Sequence, residues 1–389
     1  MIGSVERQAL RQTRPKGQLA RTDWGLFLIV LMLLIIGLAM VYSASYGFSL
    51  YRGGLYEGQP AYFFRRQVVS LVIGLMAMAV FWRIDYRWYR RMATPILVIT
   101  MAILATMALL GRWVFHQRMA SFIQPVEVAK VGAMIYIAVW LASRGEQIRD
   151  ISLGLIPFSL LLGIMAGLVV IQPDFSTAIV LIATAAAMFF VAGADMRQLL
   201  IGFLCGGVAL VLVALLVPYR MERIRTFIND PLTAALAEGF QTVQSLAALN
   251  AGGLFGVGLS QSQQKFSIFA PHTDGMFAII GEELGFVGAS FVLLLYALWT
   301  WRGLRIARQA EDRYGMLLAV GLVCWVTFQA ALHIGVITAT TPFTGTVLPM
   351  VSYGGSSLTT TLGSVGILLS ISRGSAPNEK GSAAGIGGP

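Results

Sequence analysis

Three carboxylates crowd into "HTDGMFAIIGEELG": Asp274, Glu282 and Glu283. A carboxylate that takes a proton from an attacking hydroxyl is a common way to activate a poor oxygen nucleophile. Charged groups in so apolar a stretch are costly and point to function by default. Upstream, "QPVEVAK" places Glu127 and Lys130 at the start of another apolar run, and "QPDFSTA" places Asp174 at the start of a third. Glu127 and Asp174 each have a plain structural reading: an acid in the first turn complements the helix dipole, and Asp174 can cap its helix. Pro125 suits the first turn as well. Lys130 is harder to dismiss. It lies about 9 Å below Gln124 at 1.5 Å per residue, where it must snorkel or find an acid. If a helix opens at Asp274, Glu282 lies about 12 Å along it and about 80° around, whereas Glu283 faces about 180° away. Lys130 is therefore expected to pair with Asp274 or Glu282, either for chemistry or as a plain ion pair between helices. His272 and Thr273 are placed to orient the aspartate or a substrate.

Other polar residues gather in two segments. "YRMERIRTFINDP" concentrates Arg223 and Arg225, with Arg220 close by, where they can grip a phosphorylated lipid or rest on headgroups. Gln241 and Gln244 follow one helical turn apart, and then a Gly-rich bend, "GGLFGVGL". No strand precedes the bend and the spacing is not that of a Walker loop, so a nucleotide site is not indicated. "TPFTGTVLPMVSYGGSSL" (341–358) is dense in Pro, Gly, Ser and Thr. Irregular backbone at membrane depth is tolerable only where it lines a cavity, so a re-entrant, pocket-lining segment is expected there.

The elements that carry these groups follow from composition. The 389 residues are 57% hydrophobic and 12% charged, about half the charged share of a soluble domain. Apolar runs of membrane-spanning length recur along the chain. Ten helices are expected, at 24–46, 66–83, 92–110, 124–143, 151–171, 176–194, 197–217, 275–301, 314–338 and 356–372. The fold class is thus an all-α polytopic membrane protein with one long loop, 218–274, between helices seven and eight. A basic segment (1–23) precedes the membrane domain (24–373), and a polar, Gly-rich tail (374–389) reads as disordered. No cleavable signal is visible, because residues 1–22 lack an apolar core. Of the 28 Lys and Arg, 18 fall on the side of the N-terminus, 9 opposite, and Lys130 within a span. Both termini are expected to be cytoplasmic, with the long loop outside. The net charge of +10 reflects this topology; no nucleic-acid motif accompanies it. Cys205 and Cys324 both sit in apolar runs and read as buried, inert thiols.

In this order, "VYSAS", "GRW", "QPVEVAK", "QPDFSTA", "RIRTFINDP", "GGLFGVGL", "HTD", "GEELG" and "LPMVSYGGSS" resemble the SEDS family of peptidoglycan polymerases (FtsW, RodA and SpoVE) over residues 24–373. "GGLFGVGL…QSQQKF" and "IIGEELG" lean towards the FtsW and SpoVE branch. The sequence departs from the family pattern at Val126, at Ala270, where the family's preceding glutamate is missing, and at His333 and Ile337. The resemblance implies polymerisation of lipid II, on the extracytoplasmic face of the bacterial inner membrane, with release of undecaprenyl pyrophosphate. It implies a class B penicillin-binding protein and other division or elongation proteins as partners. Asp274 is the implied general base. Lys130, Arg223 and Arg225 would meet the pyrophosphate, and Arg112, Trp113, Glu127, Gln241, Gln244, His272, Thr273, Glu282, Ser352 and Ser356 the rest of the substrate. A divalent cation (Mg or Mn) could assist the pyrophosphate, although no metal-ligand cluster is recognisable. The rival readings are a lipid II flippase, which should carry its polar groups near the midplane, and a scaffold without activity.

Overall fold

The computed structural model describes residues 23–51, 61–110, 124–172, 174–216, 221, 227 and 237–374. The basic N-terminal segment, the C-terminal tail, Arg112, Trp113, Arg223 and Arg225 lie outside these described residues.

Among the described residues there are twelve α-helices and no strand. They are α1 (Trp24–Tyr51), α2 (Tyr62–Arg83), α3 (Arg87–Arg91), α4 (Ala93–Leu110), α5 (Pro125–Arg144) and α6 (Ile156–Ile171). Then come α7 (Phe175–Val191), α8 (Met196–Leu216), α9 (Ala237–Gly252), α10 (Met276–Gln309), α11 (Arg313–Ile337) and α12 (Gly355–Arg373). Each of the ten expected helices has a counterpart. The short α3 and the loop helix α9 were not foreseen as elements. Among the described residues, six segments are long and apolar enough to cross a membrane. Large apolar side chains such as Phe203, Leu109 and Leu160 lie exposed on the outside, as lipid-facing surfaces must. This is a multi-pass membrane protein.

Local chemistry sets the helix ends. α5 starts from an extended Gln124 with Pro125 in its first turn and stops at Gly145, whose φ is 57°. Asp174 caps α7 by accepting from the Thr177 amide at 3.0 Å, and Asp312 caps α11 through Gly315 at 2.8 Å. α2 and α12 pack closely because Gly366 leaves room for the Met78 carbonyl, which would stand 2.4 Å from any added Cβ. Cys324 is half-buried, but Cys205 is exposed. The expectation of two buried thiols fails at Cys205 because α8 turns that face, with Phe203 and Leu204, away from the bundle.

The largest departure from expectation is in α10. The run was read as one helix ending near residue 301, yet it extends to Gln309 and breaks at Gly285, where φ is 67° and ψ −169°. Residues 253–258 enter the break. Val257 and Gly258 donate to the carbonyls of Glu282 and Glu283 at 3.0 and 3.1 Å, while Phe286 and Val287 donate to Gly253 and Leu254 at 2.9 and 3.1 Å. The loop thus replaces the hydrogen bonds that the helix gives up, as apolar surroundings demand. Only glycine adopts this φ readily, and the Gly256 amide would lie 2.3 Å from a Cβ at Gly285.

Candidate active site

Five helices, α2, α5, α7, α10 and α12, begin at the same end of the bundle, and their first turns surround a cavity of about 600 Å³. α2 contributes Tyr62 and Arg66, α5 contributes Gln124 and Glu127, and α7 contributes Asp174, Ser176 and Thr177. Thr273 and Asp274 enter from the turn before α10, residues 344–347 from the long loop, and residues 354–357 from the start of α12. Helix N-termini carry partial positive charge. Their convergence favours anionic groups in this cavity, and three carboxylates occupy its wall.

Asp274 sits in a turn, not in the helix. Thr273 and Gly275 both donate to the Ala270 carbonyl, at 3.2 and 3.1 Å, and α10 starts at Met276 with Gly275 as its cap. The turn is held from behind. The Ser352 hydroxyl donates to the Thr273 carbonyl at 2.8 Å, and the Tyr353 amide donates to the His272 carbonyl at 2.8 Å. Opposite, Gly345 has φ 66°, and a Cβ there would stand 3.5 Å from Asp274 Oδ2. The carboxylate therefore lies against the 344–347 loop.

Lys130 does not pair with Asp274 or Glu282. Its Nζ is 2.8 Å from Glu127 Oε1, three residues earlier on α5, donates to Gln329 Oε1 at 3.1 Å and lies 4.9 Å from the centre of the Trp325 ring. Lys130 is 4% exposed and Glu127 6%. Gln329 continues the chain by donating through Nε2 to the Val347 carbonyl at 3.1 Å. The network thus runs from the cavity acid through the bundle to the loop beside Asp274.

Glu282 is also placed differently from expectation. It accepts from the Ser262 hydroxyl at 2.5 Å and from the Gln263 amide at 2.9 Å, and it does not share Asp274's wall. The wheel drawn from Asp274 fails because the turn at 270–275 precedes the helix and resets the angle. Glu283 meets the Ser43 hydroxyl at 2.6 Å and Lys265 Nζ at 3.9 Å. Both acids therefore brace residues 262–265 against α10 and α1.

His272 is buried, with its ring 4.3 Å from that of Phe63 and 5.5 Å from that of Tyr353. Burial pushes its pKa down to about 4, so the ring is neutral at pH 7. It is absent from the cavity wall, as are Ser352, Gln241 and Gln244, whereas Thr273 and Ser356 line it. Ser356 accepts the Gln124 amide at 2.6 Å, tying α12 to α5. Among residues the sequence did not single out, Arg66, Thr344 and Thr346 also line the cavity. His333 holds this region together: its Nε2 accepts from the Phe277 amide at 3.4 Å, while its Nδ1 donates to the Thr346 carbonyl at 2.6 Å. Among the described residues no group of three or more His, Cys, Asp or Glu is placed to hold a metal ion. These residues do not fit a protein-built cation site.

Beside the cavity, a second hollow of about 440 Å³ runs down the bundle between α2, α4, α5 and α12, with walls that include Phe81, Ile99, Val128 and Ile367. It is almost wholly apolar. The first turn of α5 divides the two: Glu127 faces the polar cavity and Val128 the apolar groove.

The family model described as "Cell cycle protein", covering FtsW, RodA and SpoVE, matches residues 24–376. The chain is 40% identical to stage V sporulation protein E of Bacillus subtilis, over 90% of this chain and 97% of that one. It is 36% identical to a probable peptidoglycan glycosyltransferase FtsW of Trichlorobacter lovleyi, over 92% and 94%. Among solved structures it resembles a chain of a peptidoglycan synthase complex, with TM-score 0.74 and 29% identity over 90% of this chain and 98% of that one. It also resembles the rod-shape-determining protein RodA of Thermus thermophilus, with TM-score 0.64 and 27% identity over 90% and 97%. With a family match over nearly its whole length, and a cavity ringed by "QPVEVAK", "QPDFSTA", "HTD" and "SYGGSS", the chain belongs to the FtsW/RodA/SpoVE family.

Proposed function

We propose that the protein is a peptidoglycan glycosyltransferase that joins lipid II units into glycan strands at the extracytoplasmic face, in cell division or cell-shape maintenance. The observation that carries this reading is the pairing of two hollows on one helix turn. A polar, carboxylate-lined cavity suits the sugars of a lipid-linked substrate, and the apolar groove beside it suits a polyprenyl chain. Asp274 is the general base. It accepts the proton of the acceptor sugar hydroxyl as that oxygen attacks the anomeric carbon of the donor, and the C–O bond to the pyrophosphate breaks. Lys130 is committed to Glu127, so the leaving group calls for other cations, with Arg223 and Arg225 the first candidates. A class B penicillin-binding protein is the partner, since growing strands need cross-linking, and further division or elongation proteins assemble with the pair. Incubation of the purified protein with labelled lipid II, with and without that partner, is expected to yield long glycan strands. Lipid II that stays monomeric under both conditions defeats the reading.

The chain crosses the bacterial inner membrane ten times with both termini in the cytoplasm, on the strength of the Lys and Arg distribution. The cavity then opens outside. A cysteine placed at the exposed position 240, on α9, is expected to react with an impermeant maleimide added to whole cells, and one at the exposed position 309 only after permeabilisation. The opposite pattern would put the cavity on the wrong side for this chemistry.

A further inference from the structure

The cavity wall contains polar atoms that have no partner among the described residues. Glu127 Oε2 and the hydroxyls of Thr344, Thr346 and Ser357 are all shielded from solvent and unpaired, and all four residues line the cavity. Glu127 and Ser357 are each only 6% exposed. The backbone around them is satisfied from behind: Ser176 donates to the Thr344 carbonyl at 2.7 Å, His333 to that of Thr346, and Gln329 to that of Val347. Nearly all buried polar groups in native proteins are hydrogen-bonded. Four orphans in one cavity therefore mark a place where a ligand supplies the partners.

Their chemistry narrows the ligand. Glu127 Oε2 can only accept, while the hydroxyls both donate and accept. The ligand must then offer at least one O–H or N–H together with several acceptors. Charge narrows it further. Among the described lining residues the acids are Glu127, Asp174 and Asp274 and the base is Arg66, and Lys130 already neutralises one oxygen of Glu127. A phosphate would add negative charge here and bring no proton for Glu127. A neutral ring with hydroxyls and an acetamido group supplies both kinds of partner.

We propose that Thr344, Thr346, Ser357 and Glu127 Oε2 form a recognition wall for an N-acetylated amino sugar, holding it with a ring hydroxyl turned towards Asp274. The proposal rests on the lipid-linked sugar reading above and assigns the sugar, not the pyrophosphate, to this wall. Asp274 lies against Gly345, between the two threonines, so a sugar seated here reaches the carboxylate.

Thr346→Val and Ser357→Ala remove a hydroxyl with little change of shape, and Thr346→Ser keeps one. The first two are expected to raise KM for lipid II about tenfold with kcat within about threefold, and Thr346→Ser to stay within about twofold of wild type. Equilibrium binding of labelled lipid II in detergent micelles, measured without the partner, needs no polymerisation and should weaken by the same factor. A soluble N-acetylglucosamine disaccharide should compete with lipid II on the wild type and lose that ability on Thr346→Val. Unchanged lipid II binding by both hydroxyl deletions overturns the wall even if strands form. So does an equal loss in Thr346→Ser, which would point to packing. Competition by inorganic pyrophosphate that disappears in Thr346→Val also overturns it, by giving the wall to the leaving group. A wild type that makes no strands, yet binds lipid II tenfold tighter than Thr346→Val, overturns the polymerase reading and leaves the wall standing.

Discussion

Asp274→Asn is expected to fold, reach the membrane and bind its partner, and to polymerise lipid II about 10²–10⁴-fold more slowly than the wild type. Asparagine keeps the size of aspartate and much of its hydrogen bonding, but it cannot take a proton from an attacking hydroxyl. The turn that carries position 274 is held through the backbone carbonyls of Thr273 and His272, by Ser352 and Tyr353, so the substitution leaves those supports in place. An ionised carboxylate is the form a general base requires, and asparagine cannot supply it. Single-turnover rates with labelled lipid II, set against partner co-purification and thermal midpoint, separate lost chemistry from lost structure. A variant that polymerises at a near wild-type rate would move the base to Glu127, which lines the same cavity. Glu282 drops out of that succession because it is bound into the 262–264 loop.

Lys130→Met is expected to destabilise the protein by about 3–5 kcal/mol, the usual cost of stripping one partner from a buried ion pair. It should also silence polymerisation. The ammonium is the counter-charge of Glu127 and the link to Gln329, and Gln329 in turn steadies the loop beside Asp274 through Val347. Methionine has similar bulk and no charge, so Glu127 would be left buried without compensation. The double variant Lys130→Met, Glu127→Gln removes that uncompensated charge and is expected to recover most of the stability, but not the activity. Thermal unfolding of the solubilised protein, read as a double-mutant cycle, makes the comparison. Additive losses in the double variant would show that the pair does not act as a unit. A conservative change at the exposed Val128, one residue from Glu127, should do far less.

Much of this architecture is legible in the sequence because lipid imposes simple rules. Long apolar runs must be helices, and Pro125 and Asp174 announce where two of them begin. The place of Asp274 is legible too, as a charge at the mouth of an apolar run that lines the cavity. Its neighbours are harder to read. Lys130 went to Glu127 because two residues three apart on one helix need no tertiary geometry to meet, whereas the projected meeting with Glu282 assumed a helix opening at Asp274, which in fact lies in the turn before Met276. The break at Gly285 leaves no local trace, since the segment that repairs it lies some thirty residues earlier in the chain. Thr344 and Thr346 are ordinary loop residues by composition. What distinguishes them is that the loop's carbonyls are satisfied from behind, and only the assembled bundle shows that. Ser352 sits in a segment rightly flagged as pocket-lining and His272 beside the carboxylate, yet both serve the pocket as props.

The break in α10 also has a mechanical meaning. The helix is two rods end to end, and the splice between them is made of another part of the chain. The first rod, Met276 to Leu284, accepts two backbone hydrogen bonds, from Val257 and Gly258, and the start of the second rod donates two more, from Phe286 and Val287 to Gly253 and Leu254; residues 253–258 continue directly from α9. The second rod is bolted further along as well, through the Tyr296 hydroxyl on the Pro349 carbonyl and the Trp299 ring on the Val323 carbonyl. Force applied to α9 is therefore passed sideways into the splice, and through it into the rod whose tip carries the Asp274 turn. A body that leans on α9 holds a lever on the carboxylate.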